Sequence, residues 1–153
     1  MSFTAQNKSF KGRHESRLDD KRRLTIPADW RFEGEGESSY LAFYHPAHAA
    51  IMVLPPKMKS RIEAASERPE VISNPVMLRA LERLGELSQD IVCDKAGRVM
   101  LKPELLRAAA IDRDVELKGV FSSFLIRSVN PPEPDLDSKE ARQLQEALAE
   151  LMK

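Results

Sequence analysis

Lys11, Arg13 and Arg17 alternate along a strand-like run, Phe10 to Leu18, and the contiguous cations Lys21-Arg22-Arg23 follow it directly. In extended backbone, residues two apart share a face, so Lys11, Arg13, Glu15 and Arg17 line one side and, with the loop, form a cationic ridge. Cations on a β-ribbon can clamp phosphates or enter a DNA major groove, where a planar guanidinium bridges O6 and N7 of guanine. The blander reading is an exposed strand charged to resist edge aggregation. Overall charge does not separate the two, because 24 Lys and Arg balance 24 Asp and Glu. The distribution favours the first. Residues 1–31 carry eight cations against four anions, and residues 130–153 three against six, which describes a basic face with an acidic tail held away from it.

Other chemistry finds less support. Asp19 and Asp94 each precede an arginine by four positions, as turn aspartates that accept local backbone N–H bonds and pair with the arginine of their own or the other copy. A catalytic carboxylate dyad would need a nucleophile or base beside it, and none is placed there. His45 and His48 flank Pro46 in a turn, share no helical face and have no third ligand nearby, so they read as loop residues and not as a metal site. Cys93 follows Ile91 and Val92 and reads as a small buried hydrophobe. As the lone cysteine it excludes a disulfide framework and a Cys-pair zinc site and fits a reducing cytoplasm. There is no Gly-rich phosphate loop, nucleophile elbow or zincin helix. No enzyme activity and no cofactor are expected. Met1 to Phe10 has no apolar leader core, and no segment approaches the roughly 18–20 apolar residues of a membrane span.

The elements that must hold the cations come in duplicate. Asp19-Asp20-Lys21-Arg22-Arg23-Leu24-Thr25-Ile26-Pro27 is echoed by Asp94-Lys95-Ala96-Gly97-Arg98-Val99-Met100-Leu101-Lys102-Pro103. Each copy follows a strand-like run, Phe10 to Leu18 or Ser88 to Cys93, and each continues into a short helix, Ala28 to Phe32 or Glu104 to Ala110. Strand pairs come next, Tyr40 to Tyr44 with Ile51 to Leu54, and Val115 to Val120 with Phe124 to Ser128. Between the copies, apolar residues at helical spacing predict helices over Pro56 to Glu67 and Pro75 to Glu86, covering the open side of the β core. A Pro-rich linker, Asn130 to Asp137, leads to an amphipathic helix from Ser138 with Leu144, Leu148, Leu151 and Met152 on one side, which is expected to dock on a neighbour or stay mobile. The organisation expected is a first half over 8–54, connecting helices over 55–86, a second half over 87–129 and a tail over 130–153.

The residues carry a family likeness. Phe10-Lys11-Gly12-Arg13-His14 and then Leu18-Asp19-Asp20-Lys21-Arg22-Arg23-Leu24-Thr25-Ile26-Pro27-Ala28-Asp29-Trp30-Arg31 resemble the first signature of the MraZ family. Asp94-Lys95-Ala96-Gly97-Arg98, Pro103-Glu104-Leu105, Leu117-Lys118-Gly119 and Phe124-Leu125-Ile126 resemble its second copy and closing strands. The resemblance covers about Phe10 to Ser128. It implies a mainly β, α+β fold of two swapped-hairpin halves of the AbrB/SpoVT type forming a double-psi-type barrel. It also implies a ring-shaped homo-oligomer that binds short direct repeats in double-stranded DNA upstream of the division and cell-wall gene cluster, usually as a repressor, in the cytoplasm at the nucleoid. Carried over, its DNA-facing cations are Lys11, Arg13, Lys21, Arg22 and Arg23, with Lys95 and Arg98 in the second copy; the ridge adds Arg17. Asp19, Asp94 and Gly97 are the structural turn residues. Three departures stand out: Arg22 replaces the family's turn glycine, Lys102 stands where a first proline is expected, and Leu106 occupies the usual arginine place. The alternative function is an oligomeric protein-interaction module of the same fold that does not bind DNA.

Overall fold

The computed structural model describes residues 8–32 and 39–153; residues 1–7 of the Met1–Phe10 segment lie outside them. The elements in order are β1 (Arg13–Arg17), β2 (Arg23–Thr25), β3 (Tyr40–His45), β4 (Ala50–Leu54), α1 (Pro56–Ser66), α2 (Pro69–Ile72), α3 (Pro75–Glu86), β5 (Ser88–Ile91), β6 (Arg98–Met100), α4 (Pro103–Ala108), β7 (Asp114–Gly119), β8 (Phe124–Ser128) and α5 (Lys139–Leu151). A 3-10 turn, Ala28–Trp30, follows β2. The protein is mixed α+β, with a mostly antiparallel sheet.

The offset that carries Arg23 onto Arg98 also carries β1 onto β5, β3 onto β7 and β4 onto β8. Each half places its first strand on the other: β1 pairs with β7, and β5 with β3. The six-stranded sheet therefore runs β1-β7-β8-β4-β3-β5, and β2 and β6 form a separate two-stranded ribbon. Equivalent residues meet at its centre, Ile51 opposite Ile126 and Leu24 opposite Val99. Alternation along β3 and β4 sends Tyr40, Ala42, Ile51 and Val53 into a core shared with Leu24, Val99, Leu105 and Phe124. The same alternation sends Phe43 and Leu54 to the other face, where Ile62, Met77, Leu84, Leu144, Leu148 and Leu151 cover them. The connecting helices thus close the sheet. The Asn74 side chain caps α3 by accepting from the Val76 and Met77 N–H groups, and Pro75 at the first position has no N–H to satisfy.

Four expectations change. The first strand is shorter than Phe10 to Leu18, because the chain breaks at Gly12 (φ 98°) and Phe10 returns only as an isolated bridge to Phe121. His45 is not a loop residue: it ends β3 fully buried, its Nδ1 has no partner among the described residues, and burial together with His48 pushes its pKa down to about 4. Cys93 is half-buried against the core rather than inside it. The C-terminal helix is not left mobile, and the neighbour it docks on belongs to its own chain. Ser138 caps α5, its apolar stripe packs on α1 and α3 of the same chain, and Arg68 donates to the Glu150 carbonyl oxygen at 2.8 Å near its end. This places the acidic tail on the sheet face opposite the β2–β6 ribbon.

Candidate nucleic-acid interface

The two turns that enter the ribbon are built alike, bond for bond. In the first, Asp19 N–H donates to the Arg23 carbonyl (3.0 Å) and Arg22 N–H to the Asp19 carbonyl (3.0 Å). One Asp19 carboxylate oxygen accepts from the Lys21 and Arg23 N–H groups (2.9 and 2.8 Å), and the other from Arg23 Nε (2.7 Å). In the second, Asp94 N–H donates to the Arg98 carbonyl and Gly97 N–H to the Asp94 carbonyl, both at 2.9 Å. The Asp94 carboxylate accepts from Ala96 and Arg98 N–H (2.9 Å each) and from Arg98 Nε (3.0 Å). The Arg23 backbone N–H, then its guanidinium and the Lys21 N–H, hold the Asp19 carboxyl below the usual range; the Arg98 backbone N–H leads the same effect at Asp94. Both carboxylates are therefore ionised at neutral pH and keep their arginines oriented. Nε is engaged in each case. The terminal guanidinium nitrogens of Arg23 and Arg98 make no hydrogen bond among the described residues, so each keeps a two-donor edge unbonded there, on a side chain that is partly exposed.

Because β2 and β6 are antiparallel, with Arg23 opposite Met100 and Thr25 opposite Arg98, the two turns lie at opposite ends of the ribbon. The structure does not merge Lys21, Arg22 and Lys95 into one patch; it repeats a small cationic turn twice.

The ridge along β1 differs from expectation. Its partner β7 brings Glu116 opposite Glu15 and Asp114 opposite Arg17. Arg13 bonds Glu116 at 2.9 Å and Glu15 at 3.1 Å, and Arg17 bonds Asp114 at 3.1 Å. Glu116 first, then Glu15, raises the Arg13 pKa. The face is thus a lattice of paired charges rather than a bare cationic strip, for a reason invisible in a single strand: the neighbour comes from the far half of the chain. Among the candidate cations, Lys11, Lys21, Arg22 and Lys95 are exposed and have no partner among the described residues. Sequence reading missed Arg113, which pairs with Asp20 beside the first turn. It also missed Lys118, which lies opposite Arg13 and pairs with Glu116.

No family model matches the chain. Among curated proteins it is 35% identical over 123 residues to the transcriptional regulator MraZ of Janthinobacterium sp. (strain Marseille), spanning 76% of this chain and 80% of that protein. It is 34% identical over 119 residues to that of Bordetella pertussis (75% and 79%) and 28% identical over 132 residues to that of Koribacter versatilis (84% and 88%). The chain belongs to the MraZ family of transcriptional regulators.

The two turns differ at one equivalent pair of positions, and the structure accounts for the difference. Arg22 and Gly97 are equivalent, and both adopt left-handed backbone, φ 61° and 80°. Each also accepts a hydrogen bond from the opposite strand's continuation, Leu101 N–H to the Arg22 carbonyl and Ile26 N–H to the Gly97 carbonyl. A Cβ at Gly97 would overlap the Arg31 guanidinium, which lies across that turn and donates from Nε to the Ile26 carbonyl at 2.7 Å. The residue equivalent to Arg31 is Leu106, buried in the core. No arginine therefore lies across the first turn as Arg31 lies across the second, and a side chain is sterically admissible at position 22. Nothing in the sequence links Arg22 to Leu106, because the link runs between the halves. Among the described residues, no three His, Cys, Asp or Glu side chains form a metal-ligand set, and no helix is long and apolar enough to cross a membrane.

Proposed function

We propose that this chain is a sequence-specific DNA-binding transcriptional regulator that acts as a homo-oligomer on promoter direct repeats, as a repressor of the division and cell-wall cluster including its own gene. Its place would be the cytoplasm, at the nucleoid. The observation that carries the reading is the pair of duplicated turns, each holding an arginine by its Nε on an aspartate and leaving the outer edge free. A guanidinium oriented in this way suits bidentate recognition of guanine O6 and N7. In this reading Arg23 and Arg98 face base edges. Lys11, Lys21, Arg22 and Lys95 contact phosphates, and Arg13 and Arg17 contribute through the outer sides of their ion pairs. The exchange of first strands between halves supports a swapped-hairpin, double-psi-type barrel with halves at 8–54 and 87–129. A ring of such protomers would multiply individually weak contacts through effective concentration.

The test is binding of the purified protein to the region upstream of its own gene against scrambled DNA at two salt concentrations. The reading expects preference for the upstream fragment and an affinity that falls with salt, with log K declining by about 0.9 per decade of salt for each neutralised phosphate. The carboxylate pairing along β1 favours one alternative, an interaction module of the same fold. Absence of binding to either DNA at low salt would select it.

A further inference from the structure

We propose that the cleft between the β3–β4 turn, α3 and the start of α5 binds a small organic cation, an ammonium group carried on an apolar body. The cleft encloses about 240 Å³, less than the roughly 300–1,000 Å³ of sites for drug-sized ligands, so its occupant is a single ring or a short chain. Its floor is apolar, made by Ala80 and Leu84 of α3, Leu87 just beyond, and Leu144 of α5. The charges around that floor do not cancel. Arg83 faces Glu140 at 3.8 Å, too far for a hydrogen bond, and these two exposed groups offset each other at the mouth. Asp135 is left over: no cation contributes to its state. It is held in place by its own N–H on the Pro46 carbonyl (2.9 Å) and by Oδ1, which accepts from the Ser138 N–H (2.9 Å). The Ser138 hydroxyl first, then its N–H, holds the Asp135 carboxyl below the usual range, so it is ionised at neutral pH. Tyr44 completes the polar wall. Burial first, then the charge of Asp135, raises the pKa of its hydroxyl, which stays protonated and makes no hydrogen bond among the described residues. A fixed carboxylate beside an unused hydroxyl oxygen can accept two of the three N–H donors of a primary ammonium group, while the leucines cover the apolar body.

The experiment titrates phenethylamine, which is cationic at neutral pH, into the full-length protein and follows the backbone amide chemical shifts. Phenylacetate, a similar ring with the opposite charge, is the control. The expected result is a saturable set of shifts centred on Tyr44, Leu87 and Ala141 with phenethylamine and none with phenylacetate. Asp135→Asn removes the charge but still accepts from the Ser138 N–H, and it should weaken binding about tenfold with little change in the thermal melt. Tyr44→Phe, which lacks only the hydroxyl, should weaken it about fivefold. No saturable shift, shifts centred elsewhere, or equal binding of the two probes would overturn the proposal. So would an Asp135→Asn protein that stays folded and binds as tightly as the unaltered chain; were that variant to melt below the working temperature, unchanged binding by Tyr44→Phe would overturn it instead.

Discussion

Two requirements meet at Gly97: a left-handed backbone at φ 80° and the Arg31 guanidinium occupying the space where a Cβ would go. Gly97→Ala would strain the turn by about 1–2 kcal/mol. It would also displace Arg31 from the Ile26 carbonyl, at about 1 kcal/mol for the lost hydrogen bond. Urea unfolding is expected to show a loss of about 2–3 kcal/mol; a loss under about 0.5 kcal/mol would contradict this account of the turn. At this scale the sequence was informative where the partners are local. Asp19 and Asp94 bond within four residues of themselves, so their spacing was enough to mark the turns. Arg31 acts on a residue in the other half, and nothing adjacent to it announces that contact. His45 was misread for a related reason, since its polarity and the neighbouring Pro46 resemble a loop, while tertiary packing buries the strand end that carries it.

Among the elements, α5 shows how far periodicity reaches. Leu144, Leu148 and Leu151 fall on one face, which fixed the helix and its apolar stripe, but the surface receiving that stripe is assembled from Phe43, Ile62 and Leu84 in three separate elements. Leu148→Ala is expected to lower stability by about 2–3 kcal/mol through the buried volume removed, measured by denaturant unfolding. DNA affinity of the folded protein should not change, because α5 lies across the sheet from the ribbon. A negligible stability change would mean that the helix leaves this site in solution. The four-residue α2, Pro69–Ile72, escaped sequence reading because one turn of helix is too short to establish a period.

For the molecule as a whole, the exchange of β1 and β5 between halves governs cooperativity. Neither half has a complete sheet without the other, and the core cluster takes Leu24, Tyr40, Val99 and Phe124 from both. Thermal or urea unfolding of the full chain should be a single transition with coincident fluorescence and circular dichroism curves. Two separable transitions, one of them surviving in a chain cut down to one half, would contradict the exchange. The charge balance belongs to this scale too. In a chain of net charge zero, the unpaired cations of the turns lie on the ribbon side, and those of β1 are paired with β7 carboxylates. The acidic tail shares the opposite face with the lysines and arginines of α1 and α3.

The duplication, the class of each major element, the turn aspartates with their arginines and the family likeness were all written in the sequence, because each depends on residues a few positions apart. The tertiary structure alone decided three things. It set the pairing of each half's first strand with the other half, which neutralises the β1 ridge through Glu116 and Asp114. It placed α5 against the chain's own helices. It also put Arg31 across Gly97 while Leu106 went into the core. Each of these depends on contacts between residues dozens of positions apart, which local pattern and spacing do not encode.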